Sequence, residues 1–143
     1  MRTLGQILAA KGTQVWSVTP DTSVYDAIAL MAEKGIGALP VLESGKLVGI
    51  VSERDYTRKV ALQGRSSKTT LVREIMTPEV VCVRRDETAQ EAMAVMTAKR
   101  IRHLPVLEGD EMVGIVSIGD LVKDVISEQE FLIEQLVRYI HGR

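Results

Sequence analysis

The apolar positions along this chain change period in a fixed order and then do so a second time. A β-rich stretch from Val15 to Val18 leads to Ser23 and Asp26, whose spacing suits a capped helix start. Beyond it, Ala27, Ile28, Met31 and Ala32 form one stripe at helical spacing. Two runs rich in branched residues follow, Ala38 to Leu42 and Leu47 to Ser52, and the turn Glu43-Ser44-Gly45-Lys46 between them predicts a hairpin. A second helix is expected after Ser52. The same order returns with Val80 to Val83, Thr88 with Glu91, and the stripe Ala92, Met93 and Met96. His103 to Leu107 and Met112 to Ser117 then flank Glu108-Gly109-Asp110-Glu111, and a helix is expected after Ser117.

The pattern is therefore β-α-β-β-α, twice. Residues 15–60 align on residues 80–125 without a gap at an offset of 65, and twenty of the 46 pairs are identical. Leu39-Pro40-Val41-Leu42-Glu43 matches Leu104-Pro105-Val106-Leu107-Glu108, and Val48-Gly49-Ile50-Val51-Ser52 matches Val113-Gly114-Ile115-Val116-Ser117. A unit of 46 residues buries too little surface to be secure alone. An α/β (α+β) fold follows, with two β-α-β-β-α motifs packed sheet to sheet about a pseudo-twofold axis. Residues 1–64 make the first motif with its lead-in, the polar residues 65–70 a linker, and 71–126 the second motif. Residues 127–143 carry Phe131, Leu132, Gln135, Leu136 and Tyr139 at helical spacing, an amphipathic tail helix suited to capping the module or pairing with another subunit.

Composition narrows the functional classes. Of 143 residues only Trp16, Tyr25, Tyr56, Phe131 and Tyr139 are aromatic, so the core is aliphatic. A net charge of -1 gives no general field to attract nucleic acid or an anionic membrane, and any anion site must be local. The basic residues Arg84, Arg85, Lys99, Arg100 and Arg102 lack the interleaved aromatics that stack bases. The single cysteine, Cys82, excludes an internal disulfide and reads as a buried strand position in a reducing cytosol. Neither a signal-like apolar start nor a run long enough to span a bilayer is present, so a cytoplasmic protein is expected. His103 and His141 have no second ligand at metal-binding spacing, and no motif sets a nucleophile beside a base. Phosphate-loop and dinucleotide-fold glycine motifs are missing too. An enzyme is not expected, nor a bound metal.

The residues do carry one recognisable pattern. Gly35-Ile36-Gly37-Ala38-Leu39-Pro40-Val41, followed by Leu47-Val48-Gly49-Ile50-Val51-Ser52-Glu53-Arg54-Asp55, resembles the CBS motif, named for cystathionine β-synthase. Ile101-Arg102-His103-Leu104-Pro105-Val106 with Val113-Gly114-Ile115-Val116-Ser117-Ile118-Gly119-Asp120 resembles it again, and Ile75-Met76-Thr77-Pro78 resembles the entry to a second motif. The resemblance covers roughly residues 4 to 126. It implies a CBS pair, or Bateman module, which dimerises into a flat disc and binds adenosine-containing ligands in clefts between its motifs. With no catalytic or transport domain in the sequence, the module is expected to stand alone as a homodimer. It would sense an adenine nucleotide and relay energy or redox state to an unidentified regulated protein.

The Ser-x-x-Asp that opens each second helix has two readings. It is a capping box; in the resembled family the Asp also accepts the ribose hydroxyls, and a carboxylate suits a vicinal diol. By that analogy cleft one holds Ser52, Arg54 and Asp55 with Thr77, Val80, Val81, Ile101, Arg102, His103 and Pro105. Cleft two holds Ser117, Gly119 and Asp120 with Thr13, Val15, Trp16, Ile36, Gly37, Ala38 and Pro40. Arg54 aligns with Gly119, and Arg102 and His103 align with Gly37 and Ala38. Cleft one therefore has guanidinium groups suited to phosphate and is expected to prefer AMP, ADP or a dinucleotide. Cleft two is expected to hold a less charged adenosine moiety or to stay empty. ATP, NAD(H) and S-adenosylmethionine share the recognised adenosine and are not separated. The alternative is a ligand-free CBS scaffold that docks on a partner protein, with an exposed apolar tail helix as its mark.

Overall fold

The computed structural model describes residues 2–12 and 14–141. The chain divides into two compact units, Gln14–Val81 on one side and Met1–Thr13 with Cys82–Arg143 on the other.

In the unit Gln14–Val81, helix α2 (Val24–Lys34) starts at Ser23, whose side chain accepts from the Asp26 amide, and stops at Gly35 in the left-handed conformation. Strands β1 (Ala38–Glu43) and β2 (Lys46–Ser52) pair antiparallel, with a bulge between Val41 and Leu42. The expected strand Val15 to Val18 shrinks to one parallel bridge, Val18 to Val41. Pro40 has no N–H to donate, but its carbonyl accepts from the Val18 amide at 3.1 Å. After Ser52 the second helix is a short α3 (Glu53–Tyr56) continued as π-helix over Thr57–Ala61. Residues 65–70 do more than link: the carbonyls of Ser67 and Thr70 accept from Tyr25 and Val24, amides that the helix itself leaves unpaired. Helix α4 (Val72–Ile75) comes next, and Thr77 then exchanges two hydrogen bonds with Ile50 at the edge of β2. Val24, Ala27, Met31, Leu39, Val41, Val51, Val60, Val72 and Ile75 form the aliphatic core, while Ala32 of the predicted stripe is exposed.

The other unit repeats this plan. Helix α1 (Leu4–Lys11) opens with a capping box between Thr3 and Gln6. Strand β3, only Val83–Arg84, runs parallel to β4 (His103–Glu108), which pairs antiparallel with β5 (Glu111–Ser117). The bulge recurs at the aligned place, between Val106 and Leu107. Helix α5 (Ala89–Lys99) ends at Arg100, which takes the left-handed conformation at φ 55° where the first copy has Gly35. Residues 127–140 are not a separate helix, in contrast to the boundary expected from sequence, and Gly142 and Arg143 lie outside the described residues. Helix α6 runs unbroken over Ile118–Ile140, because no Pro or Gly interrupts it beyond Gly119 in its first turn. Its buried residues, Leu121 and Asp124, lie early; Phe131, Leu132, Ile133, Leu136, Val137, Tyr139 and Ile140 are exposed.

The compact units do not coincide with the sequence copies. Helix α1 precedes the first copy yet packs on the hairpin of the second, where a Cβ on Gly114 would lie 2.7 Å from Leu8. Helix α4 precedes the second copy yet packs on the hairpin of the first, where a Cβ on Gly49 would lie 2.7 Å from the Met76 sulfur. Gly49 and Gly114 are aligned positions; Gly114 lets helix α1 approach its strand closely, and Gly49 does the same for Met76 and Thr77, which follow α4.

Gly114→Ala should therefore cost about 1–3 kcal/mol through overpacking against the buried Leu8, read as a lower urea midpoint with an unchanged slope. Arg100→Gly should act the other way, relieving the left-handed strain and raising the melting temperature by about 2–4 °C.

Candidate functional site

Each hairpin ends in a Ser held extended, and each Ser caps the helix that follows. Ser52 Oγ accepts from the Asp55 amide at 3.2 Å, while Asp55 Oδ2 accepts from the Ser52 amide at 2.9 Å and the Ser52 hydroxyl at 3.1 Å. Ser117 Oγ accepts from the Asp120 amide at 3.2 Å, and Asp120 Oδ2 accepts from the Ser117 amide at 2.8 Å. The capping box is real in both turns, and it fixes each carboxylate by one oxygen. The side chains of Asp55 and Asp120 keep 15% and 24% of their surface exposed, so each carboxylate still faces solvent.

Antiparallel pairing sets the first residue of each hairpin beside these turns. Ala38 lies opposite Ser52 and His103 opposite Ser117. The Gly37 carbonyl accepts from the Glu53 amide at 3.0 Å, and the Arg102 carbonyl from the Ile118 amide at 2.9 Å. Arg102 and His103 therefore adjoin Ser117 and Ile118, the start of the second turn, within their own unit, a neighbourhood set by strand pairing. Of the residues expected in cleft one, Ser52, Arg54, Asp55, Thr77, Val80 and Val81 belong to the unit Gln14–Val81, and Ile101, Arg102, His103 and Pro105 to the other. Of those expected in cleft two, Ser117, Gly119 and Asp120 share a unit, Val15, Trp16, Ile36, Gly37, Ala38 and Pro40 lie in the other, and Thr13 is outside the described residues. Arg54 and Arg102 are exposed, whereas Ala38, Pro40 and Pro105 are buried. The Trp16 ring carries the Lys34 ammonium 4.0 Å from its centre, a cation–π contact.

Two lysines that the sequence reading passed over meet the carboxylates. Lys59 Nζ lies 3.2 Å from Asp55 Oδ1 and donates to the Ile75 carbonyl at 2.9 Å. Lys11 Nζ lies 2.6 Å from Asp120 Oδ2 and donates to the Ile115 carbonyl at 2.9 Å. The Asp55–Lys59 spacing of four was legible as a helical ion pair; Lys11 is 109 residues from Asp120, and nothing local announces it. Burial works to raise the Asp120 carboxyl, but the Lys11 ammonium and the Ser117 amide outweigh it and hold the group below the usual carboxylate range. Lys59 aligns with Asp124, which is buried and paired with Arg2 at 3.0 Å, its Oδ2 taking no hydrogen bond among the described residues.

Other chemistry is sparse. Cys82 is half-buried just before β3, and burial pushes its thiol up, away from thiolate reactivity at neutral pH. Among the described residues no three His, Cys, Asp or Glu side chains cluster as metal ligands would, and no helix is long and apolar enough to cross a membrane. A groove of about 480 Å³ between α2 and the Ser17–Thr19 segment contains Asp26 and Glu33 and none of the expected site residues.

The model of the CBS domain family matches residues 11–62 and 72–127. The chain belongs to the CBS-domain family. It is 45% identical over 139 residues to the mitochondrial CBS domain-containing protein CBSX3 of Arabidopsis thaliana, covering 94% of this chain and 67% of that protein. A CBS-domain protein from Burkholderia ambifaria, assigned to signal transduction, is 55% identical with a TM-score of 0.86, covering 90% of this chain and 96% of that one. A third CBS pair, solved with 5′-methylthioadenosine and S-adenosyl-L-methionine, is 24% identical with a TM-score of 0.75 over 90% of this chain and 98% of that one. That last likeness is one of fold.

Because the folded Asp120 carboxyl ionises below its unfolded value of about 3.9, its contribution is present above that pH and is lost as pH falls through the folded value. Lys11→Met should flatten this dependence. Denaturant titrations between about pH 5 and pH 3 should show the wild type losing more stability than the variant.

Proposed function

We propose that the chain is a cytoplasmic regulatory module that binds an adenine nucleotide at its Ser-x-x-Asp turns and passes its occupancy to another protein. The carboxylates of Asp55 and Asp120 carry this reading. Each is fixed by a capping box at a strand-to-helix turn and is still partly exposed, the arrangement that accepts a vicinal ribose diol. Arg54, Arg102 and His103 add groups suited to phosphate, which favours AMP, ADP or NAD(H) over an uncharged nucleoside. The adenosine compounds held by the CBS pair of like fold are consistent with this class of ligand. In this reading the chain performs no chemistry. Ligand shifts an equilibrium between two states, by no more than its difference in affinity for them, and alters a surface offered to the regulated protein. The exposed apolar side chains of α6 support a homodimer as the working form.

The same α6 surface favours a second reading, a scaffold that docks on a partner protein with no nucleotide bound. A thermal-shift panel of AMP, ADP, ATP, NAD, NADH and S-adenosylmethionine separates the two. The sensor reading expects a rise with at least one adenine nucleotide, lost in Asp55→Ala or Asp120→Ala, each compared with its own unliganded melting point. That reference matters because each substitution also removes the N3 half of a capping box and so lowers stability by itself. No shift at millimolar ligand, on protein freed of carried-over nucleotide, would leave the docking scaffold as the better account.

A further inference from the structure

Both oxygens of Asp55 are in use. Oδ2 receives the Ser52 amide and hydroxyl, and Oδ1 faces the Lys59 ammonium at 3.2 Å. Lys59 also donates to the Ile75 carbonyl, so its ammonium is held at two points although 46% of the side chain is exposed. Asp120 differs. Its Oδ2 takes both the Ser117 amide and the Lys11 ammonium, while its Oδ1 takes no hydrogen bond among the described residues. A diol can reach Asp120 Oδ1 with Lys11 left in place. At Asp55 it meets the Lys59 ammonium, which already pairs with Oδ1.

A diol on Asp55 Oδ1 competes with that ammonium. Where two neutral hydroxyls take the ammonium's place on a carboxylate that is 15% exposed, Lys59 loses its counter-charge and keeps only the Ile75 carbonyl and solvent. A ligand that brings its own anion restores the balance, because the released ammonium, on a flexible four-carbon stem, can pair with it. Resting on the reading that these carboxylates receive ribose, we propose that Lys59 is a specificity-determining residue. It closes Asp55 to uncharged nucleosides and opens it to phosphorylated ones by moving from the carboxylate to the phosphate. The turn at Asp120, with an oxygen to spare, has no such requirement.

The test is isothermal titration of nucleotide-stripped protein with AMP and with adenosine, in the Asp120→Asn background so that Asp55 alone reports. The parent should bind AMP at least about tenfold tighter than adenosine. Lys59→Met and Lys59→Gln should weaken AMP and tighten adenosine, bringing the ratio towards one, and Lys59→Arg should preserve it. A ratio unchanged within about twofold in both neutral variants, or both ligands weakened equally, would overturn the exchange while leaving nucleotide binding intact. A wild-type chain that binds neither AMP nor adenosine would sink the nucleotide reading itself, and the selectivity with it.

Discussion

A two-stranded hairpin has a face to cover, and here a helix from elsewhere in the chain covers it. Each hairpin keeps a glycine against this cover: a methyl group on Gly114 would strike Leu8 of α1, and one on Gly49 would strike Met76 and the Thr77 carbonyl, just past the end of α4. The cover is exchanged: α1, which leads into the first copy, packs on the second, and α4, which leads into the second, packs on the first. Neither sequence copy completes its own core, so the chain must pass between the units after Thr13 and again after Val81.

That exchange also sets the chemistry of the two Ser-x-x-Asp turns. The last residue of α1 is Lys11, and packing α1 on the second hairpin delivers its ammonium to Asp120. The last residue of α4 is Ile75, and its carbonyl receives the ammonium of Lys59, the partner of Asp55. A cation at the C-terminal end of a helix is favoured by the helix dipole as well. In both units the covering helix thus ends beside the carboxylate, but it supplies a cation in one and an acceptor in the other. The duplication has diverged around a shared geometry: Lys59 aligns with the buried Asp124, Arg54 with Gly119, and Gly35 with Arg100.

The capping box and a ligand role for the same aspartates are compatible, because they draw on different parts of one group. Capping uses one carboxylate oxygen and orients the other. A carboxylate fixed in advance loses little freedom when hydroxyls arrive, so the cap serves as preorganisation for any diol that binds. Stability and recognition are then coupled at one residue.

Much of this protein was legible in its sequence, because duplication writes local patterns twice. The hairpins, the helices α2 and α5, both Ser-x-x-Asp turns and the family resemblance all rest on residues within a few positions of one another, where spacing alone decides hydrogen bonding. The short helices α1 and α4 escaped, since eight and four residues carry too little periodicity to stand out. The predicted lead strands shrank to a bridge and a residue pair, because apolar composition does not say how far a neighbour will pair. Which helix covers which hairpin, and that Lys11 meets Asp120, only the tertiary structure decided. Those contacts join positions far apart in the chain, and their energy comes from close packing and from an ion pair that local spacing does not encode.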